Sequence, residues 1–135
     1  AAGDFTGDGK ADVASCWSNG LWYQDGERLD WTKVTTTACT HVTAGDVDGD
    51  GCDEIIGTWS NGIWYYNVAT SKWTKMASST PTGEIAAGDF TGDGKADVAS
   101  CWSNGLWYQN GATLDWTKVS NTAPTQVTAG HIPGD

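Results

Sequence analysis

Glycines at positions 3, 45, 88 and 130 of this 135-residue chain stand 42, 43 and 42 residues apart, each in the same sequence context. A unit of that size buries too little surface to fold alone, so it must stack its faces against copies of itself. Residues 2–34 and 87–119 agree at all but three positions, Asp25/Asn110, Glu27/Ala112 and Arg28/Thr113, whereas the middle copy has diverged further. The chain therefore divides into repeats over 2–43, 44–86 and 87–128, with 129–135 starting a fourth, all within one repeat domain.

Each repeat predicts four strands. A first strand such as His41 to Gly45 enters an acidic loop, and a second, Asp12 to Trp17, leaves it with Val13, Ser15 and Trp17 on one face and Ala14 and Cys16 on the other. Ser18-Asn19-Gly20 predicts a tight hairpin, for which Asn-Gly supplies positive φ values. Leu21 to Gln24 is the third strand, and Trp31 to Val34, after a looser connection at Asp25-Gly26, the fourth. Four antiparallel strands recurring every 42 or 43 residues predict an all-β propeller with four-stranded blades. A calcium β-roll is excluded, because it repeats in about nine residues. Three blades do not close a ring, for which about four to eight are usual. The tail Ala129-Gly130-His131-Ile132-Pro133-Gly134-Asp135 repeats a first strand and half a loop, so the expectation is an innermost strand lent to a blade of another chain. Two chains would then make six blades; the alternative is a piece of a longer polypeptide.

The acidic loop occurs three times: Asp4-Phe5-Thr6-Gly7-Asp8-Gly9-Lys10-Ala11-Asp12, Asp46 to Glu54, and Asp89 to Asp97. Oxygen donors at positions 1, 3, 5 and 9, with a carbonyl at position 7 and glycines that let the backbone curl, suit a hard divalent cation. The candidate ligands are Asp4, Thr6, Asp8, Lys10 (carbonyl) and Asp12; Asp46, Asp48, Asp50, Cys52 (carbonyl) and Glu54; and Asp89, Thr91, Asp93, Lys95 (carbonyl) and Asp97. Ca²⁺ fits best, about three per chain, since Mg²⁺ demands a tighter octahedron and Zn²⁺ prefers His or Cys. No Glu stands at position 12, which is Ser15, Gly57 or Ser100, and strand-like sequence follows. An EF-hand is thereby excluded, and the ion is expected to staple a loop between strands. In the tail, His131 replaces the first Asp and Pro133 the Thr, so that loop is not expected to bind calcium.

Eighteen glycines and nine tryptophans with few long aliphatics suit many short strands packed through aromatics. A formal charge of −10 with only seven scattered Lys and Arg argues against nucleic acid. Ten of the seventeen acidic residues are candidate ligands; three Ca²⁺ would bring −10 to −4, and without them the carboxylates repel, so folding should be coupled to calcium. No apolar run is long enough to insert in a membrane, and no signal peptide is visible. A chain beginning at Ala1 without Met reads as a processed, trimmed or excised product, and loops with a neutral Thr at position 3 suit millimolar extracellular calcium, which together favour secretion. Cys16 and Cys101 are equivalent positions in different repeats and are expected to be buried thiols. Cys39 and Cys52 have no cysteine counterparts and flank one strand, which predicts a local disulfide between them.

Ala-Gly-Asp-Phe-Thr-Gly-Asp-Gly-Lys-Ala-Asp-Val-Ala resembles the FG-GAP or VCBS repeat, a family that includes the integrin α-subunit propeller and the integrin-like propeller lectins of mushrooms. The resemblance implies a propeller with calcium between the first two strands of each blade. The following Trp-Ser-Asn-Gly-Leu/Ile-Trp-Tyr segment looks more like the lectins. Fold likeness transfers no ligand, so sugar has to be argued from residues. A pyranose lays its C–H face on an aromatic ring and offers hydroxyls to amides and carboxylates. The segments supply Trp17, Asn19, Trp22 and Asp30; Trp59, Asn61 and Trp64; and Trp102, Asn104, Trp107 and Asp115. A third Trp follows in each fourth strand, at Trp31, Trp73 and Trp116. Repeated aromatics also pack blades, so one Trp per repeat is expected in the core and another exposed. Several weak sites on a rigid ring gain avidity toward glycans or glycoproteins. Catalysis is disfavoured, because the unique polar residues His41, His131 and Glu84 have no nucleophile or zinc spacing around them. An integrin-like module binding protein is the competing expectation.

Overall fold

The computed structural model describes residues 1–129, which form twelve strands in three four-stranded antiparallel sheets, with no helix among the described residues. Blade 1 comprises β1 (Ala2–Gly3), β2 (Asp12–Trp17), β3 (Gly20–Gln24) and β4 (Trp31–Thr35). Blade 2 comprises β5 (His41–Gly45), β6 (Glu54–Trp59), β7 (Gly62–Asn67) and β8 (Lys72–Ala77). Blade 3 comprises β9 (Ile85–Gly88), β10 (Asp97–Trp102), β11 (Gly105–Gln109) and β12 (Trp116–Ser120). In each blade the strands lie in chain order, so short hairpins suffice to join neighbours. The expected tail strand lies, from residue 130 onward, outside the described residues.

The hairpin glycines are fixed by space as well as by dihedral. Gly20, Gly62 and Gly105 have φ of 137°, 129° and 141°, and a Cβ at Gly62 would run into the Ala77 carbonyl of the neighbouring strand. The preceding Asn19, Asn61 and Asn104 do not adopt positive φ; the glycine alone makes the turn.

Period-2 alternation gives every blade two working faces. One carries Ile55, Gly57 and Trp59 of β6 and faces back toward blade 1; the other carries Ile56 and Ile63 and faces forward to blade 3. The first interface buries Phe5, Ala14, Leu21, Cys39, Ile55 and Trp59 together. The second buries Val47, Ile56, Ile63, Met76, Ile85 and Val98, among others. The core therefore lies between blades, which is why one repeat alone would not be stable. The innermost strands sit side by side: a Cβ on Gly3 would stand 3.1 Å from the Ala44 Cβ, and one on Gly45 3.0 Å from the Ala87 Cβ.

The cysteine expectation is corrected. The disulfide joins Cys16 to Cys39, with Cα atoms 5.5 Å apart, and Cys52 is a free, half-buried thiol. Cys39 lies just before β5 and Cys52 past its far end, so five extended residues, about 17 Å, separate them, well beyond disulfide reach. Cys16, on the forward face of β2, meets the chain as it enters blade 2, so it is not the buried thiol expected. Its counterpart Cys101 is free and buried.

Candidate functional site

Each acidic loop is wound around its first aspartate. Asp46 Oδ1 accepts from the Gly49 and Asp50 N–H groups at 2.9 and 3.1 Å, and Oδ2 from Gly51 at 3.0 Å. Asp4 and Asp89 take the same bonds from Gly7, Asp8 and Gly9 and from Gly92, Asp93 and Gly94. Both glycines of each loop have φ between 76° and 91°, the left-handed conformation that turns successive N–H groups inward. Position 7 contributes its N–H inside the loop: Lys10, Cys52 and Lys95 donate to Asp8, Asp50 and Asp93 at 2.9 Å each.

The ninth position separates the loops. Asp12 and Asp97 are fully buried, and backbone donors engage both of their oxygens. Asp12 Oδ2 accepts from Phe5 and Thr6, and Oδ1 from Gly26 in the β3–β4 connection; Asp97 repeats this with Phe90, Thr91 and Gly111. In blade 2 the longer Glu54 accepts from Asp48 N–H through Oε1, while its buried Oε2 has no hydrogen-bond partner. Burial, reinforced by the Asp48 and Asp50 carboxylates, pushes the Glu54 carboxyl up to about 8. Burial likewise raises Asp46, although Gly51 and Gly49 oppose it.

An orphaned carboxylate oxygen facing further carboxylates is what a cation satisfies. Asp46, Asp48, Asp50 and Glu54 each bring one oxygen within 4.8 Å of the others, as do Asp89, Asp93 and Asp97. The residues of these two loops fit a hard cation. Asp4, Asp8 and Asp12 of blade 1 are not among the groups that converge in this way, although their loop is wound by the same hydrogen bonds. Asn67, which sequence reasoning missed, clamps the middle cluster by donating to Asp48 Oδ2 at 2.8 Å and Asp50 Oδ2 at 3.0 Å. The Tyr66-Asn67 pair in place of Gln24-Asp25 was its visible signal.

Adjacent loops are stitched together. Asp53 N–H donates to the Asp4 carbonyl at 2.9 Å, and Ala96 N–H to the Asp46 carbonyl at 2.8 Å. Any ion that tightens a loop therefore also tightens the joint between blades.

The tryptophans form a second repeated arrangement. Trp17, Asn19, Trp22 and Trp31 line a hollow of about 300 Å³ in blade 1. Trp59, Asn61, Trp64 and Trp73 line one of about 350 Å³, and Trp102, Asn104, Trp107 and Trp116 one of about 400 Å³. The first and third Trp of each set meet edge to face, with centroids 5.5 to 6.1 Å apart. The second indole N–H donates to the Asn side-chain oxygen at 3.1 to 3.2 Å, which leaves the Asn amide N–H₂ as the group free to bind. Lys33, Lys75 and Lys118 lie over those same indoles at 5.4 to 5.6 Å.

Trp31, Trp73 and Trp116, noted only as aromatics in the sequence, are thus walls of the hollows. Asp30 and Asp115 are not: they stand at the opposite end of the β3–β4 and β11–β12 hairpins from the Asn-Gly turns, and Asp30 pairs instead with Arg28 at 3.7 Å. Their assignment as hydroxyl partners is withdrawn. The preceding blade also contributes, Thr35 and Thr37 to the middle hollow and Ser78 and Ser79 to the third.

Stacked blades with acidic loops between their first and second strands define a repeat protein of propeller type. Residues 4–57 match the family model of the FG-GAP-like repeat. No curated protein matches the chain. FG-GAP repeats are typical of extracellular proteins, in keeping with the disulfide. No helix of the described residues is long and apolar enough to cross a membrane.

Proposed function

We propose that this is a secreted, calcium-dependent, non-catalytic lectin whose recurring aromatic hollows bind glycans weakly and multivalently. One observation carries the proposal: three hollows, each lined by three indoles and an Asn, at equivalent places in three blades. Volumes of about 300 to 400 Å³ lie at the small end for ligand sites and suit one sugar ring. The exposed edges of Trp31, Trp73 and Trp116 offer an apolar face for C–H groups, and the free Asn amide and the Thr or Ser hydroxyls offer partners for sugar hydroxyls. Calcium would be held by Asp46, Asp48, Asp50 and Glu54 and by Asp89, Asp93 and Asp97, more weakly by Asp4, Asp8 and Asp12. Its chemistry there is charge neutralisation that stiffens the loops and the joints they share.

A glycan array probed in calcium, followed by competition with mono- and disaccharides, tests it. Binding that free sugars inhibit, and that Trp73→Ala weakens without loss of folding, is the expected result. Binding that proteins block and no mono- or disaccharide does would replace the lectin with a protein-adhesion module.

A further inference from the structure

We infer that the hollows select saccharides carrying a carboxylate or sulfate, and that Lys33, Lys75 and Lys118 receive that group. This rests on the lectin reading above and narrows its ligand to acidic glycans.

A chain of net charge −10 has seven Lys and Arg, and three of them stand at one repeat position. Lys33, Lys75 and Lys118 are the register partners of Trp22, Trp64 and Trp107 across the third and fourth strands of their blades. Each lies two residues beyond Trp31, Trp73 or Trp116, so strand alternation brings it to the hollow's side of the sheet. In all three blades Nζ settles 5.4 to 5.6 Å from the indole centroid, where the negative face of the ring holds it. The stem of Lys118 runs toward the Asn-Gly turn, since a Cβ on Gly105 would stand 3.0 Å from its Cε. Its charge therefore lies beside the turn whose Asn104 lines the third hollow.

These ammonium groups lack a counter-charge. Among the described residues, Lys10 pairs with Glu27 and Arg28 with Asp25 and Asp30, whereas no carboxylate stands within ion-pair distance of Lys33, Lys75 or Lys118. The acids are gathered elsewhere. All but two of the seventeen belong to the three metal loops or to the β3–β4 and β11–β12 turns beside them. Those turns are tied to the loops by Gly26 N–H on Asp12 and Gly111 N–H on Asp97, both at 2.9 Å. One exception, Asp135, is outside the described residues. The other, Glu84, lies opposite Cys101, on the face of blade 3 turned away from Trp102. Among the described residues, no acidic side chain lines any of the three hollows. Each blade is thus electrically polar, with carboxylates at the loop end and, at the turn end, indoles, an amide and one uncompensated cation.

A neutral pyranose is served by the indole wall and the Asn amide alone. A ring that also bears an anionic group gains an ion pair with the lysine, without any carboxylate nearby to repel it. The lysines cover Trp22, Trp64 and Trp107, which leaves Trp31, Trp73 and Trp116 as the rings on which the sugar stacks. A compact point charge on a flexible stem suits a carboxylate or a sulfate equally, where the planar fork of Arg would favour one geometry.

A glycan array of matched members, each in neutral, uronate-bearing and sulfated form, tests this with the full chain in calcium. Acidic members are expected to bind about two- to five-fold tighter per hollow than their neutral counterparts, and more where several hollows engage at once. High salt should erase the difference. In the triple variant Lys33→Met, Lys75→Met, Lys118→Met the stems still cover the indoles, and the acidic preference should vanish while neutral binding persists. Arg at the same three positions should retain the preference. Lys72→Met, on the other side of β8, removes a charge away from the hollow and should leave it unchanged. Preference for uronates alone or for sulfated sugars alone would support the inference and name the group. Equal binding of neutral and acidic members, or an acidic preference that survives the triple Met variant, would overturn it and leave the lectin standing. An array silent throughout would overturn both.

Discussion

Replacing Glu54 by Gln should have opposite consequences with and without calcium, because the residue is held in two conflicting environments. In the metal-free loop its carboxyl is pushed from 4.5 to about 8, first by burial and then by Asp48 and Asp50. Between those two pH values the folded chain keeps a proton that the unfolded chain has released. Stability from this group is therefore whole below about pH 4.5, declines as pH rises, and levels off above 8. At pH 7 the loss is roughly 3 kcal/mol, or about 10 °C in melting midpoint for a chain of this size. Gln keeps the Asp48 N–H bond, which Glu54 accepts at 3.0 Å, and carries no charge. In EDTA at pH 7 to 8, Glu54→Gln is therefore expected to melt above the wild type, with the gap vanishing near pH 4.5. In millimolar calcium the order should invert, since the variant has lost one of four carboxylates around the ion. Thermal melts of both proteins across pH 4.5–8, in EDTA and in calcium, decide the matter. A variant destabilised equally in both media would refute the reasoning, because Glu54 would then act by packing rather than by charge.

Peptide mapping without reduction should recover Cys16 linked to Cys39, and Cys39→Ser should cost about 3 kcal/mol in chemical denaturation; a Cys39–Cys52 peptide would contradict the fold at the entry to blade 2. Gly62→Ala should cost about 2–4 kcal/mol, because φ of 129° and the Ala77 carbonyl both oppose a side chain. Gly94→Ala, at φ 85° but with open space around it, should cost about 1–2 kcal/mol by the same assay.

Strand order was legible in the sequence because the constraints on it are local. The alternation in Asp12 to Trp17 and the Asn-Gly turn fix β2, β3 and their register within one hairpin, and the loop glycines fix the winding around Asp4, Asp46 and Asp89. Cys16, Asn67 and Asp30 were misjudged or missed because their partners are set by other segments. Cys16 meets Cys39 only after the chain has left blade 1, and Asn67 reaches Asp48 and Asp50 from the far end of β7. Asp30 adjoins Trp31 in sequence, yet the indole leans along the sheet to Trp17 while the carboxylate remains in the opposite turn.

Three tryptophans at one repeat position make the limit quantitative. Trp17 is 52 % exposed, Trp102 is half-buried, and Trp59 is 6 % exposed with its N–H on the Thr37 carbonyl of blade 1. Trp17 and Trp102 sit in locally identical sequence, so no reading of their neighbours could separate them; the preceding blade does. Trp102 is turned onto Ser100 at 2.7 Å, whereas in blade 2 the ring lies over Gly57, where a Cβ would come within 2.7 Å of it. The middle repeat has thus exchanged a serine for a glycine to let its indole fold into the interface. Whether such a ring serves as packing or as a platform for ligand is decided between blades, at the level where this protein also builds its core.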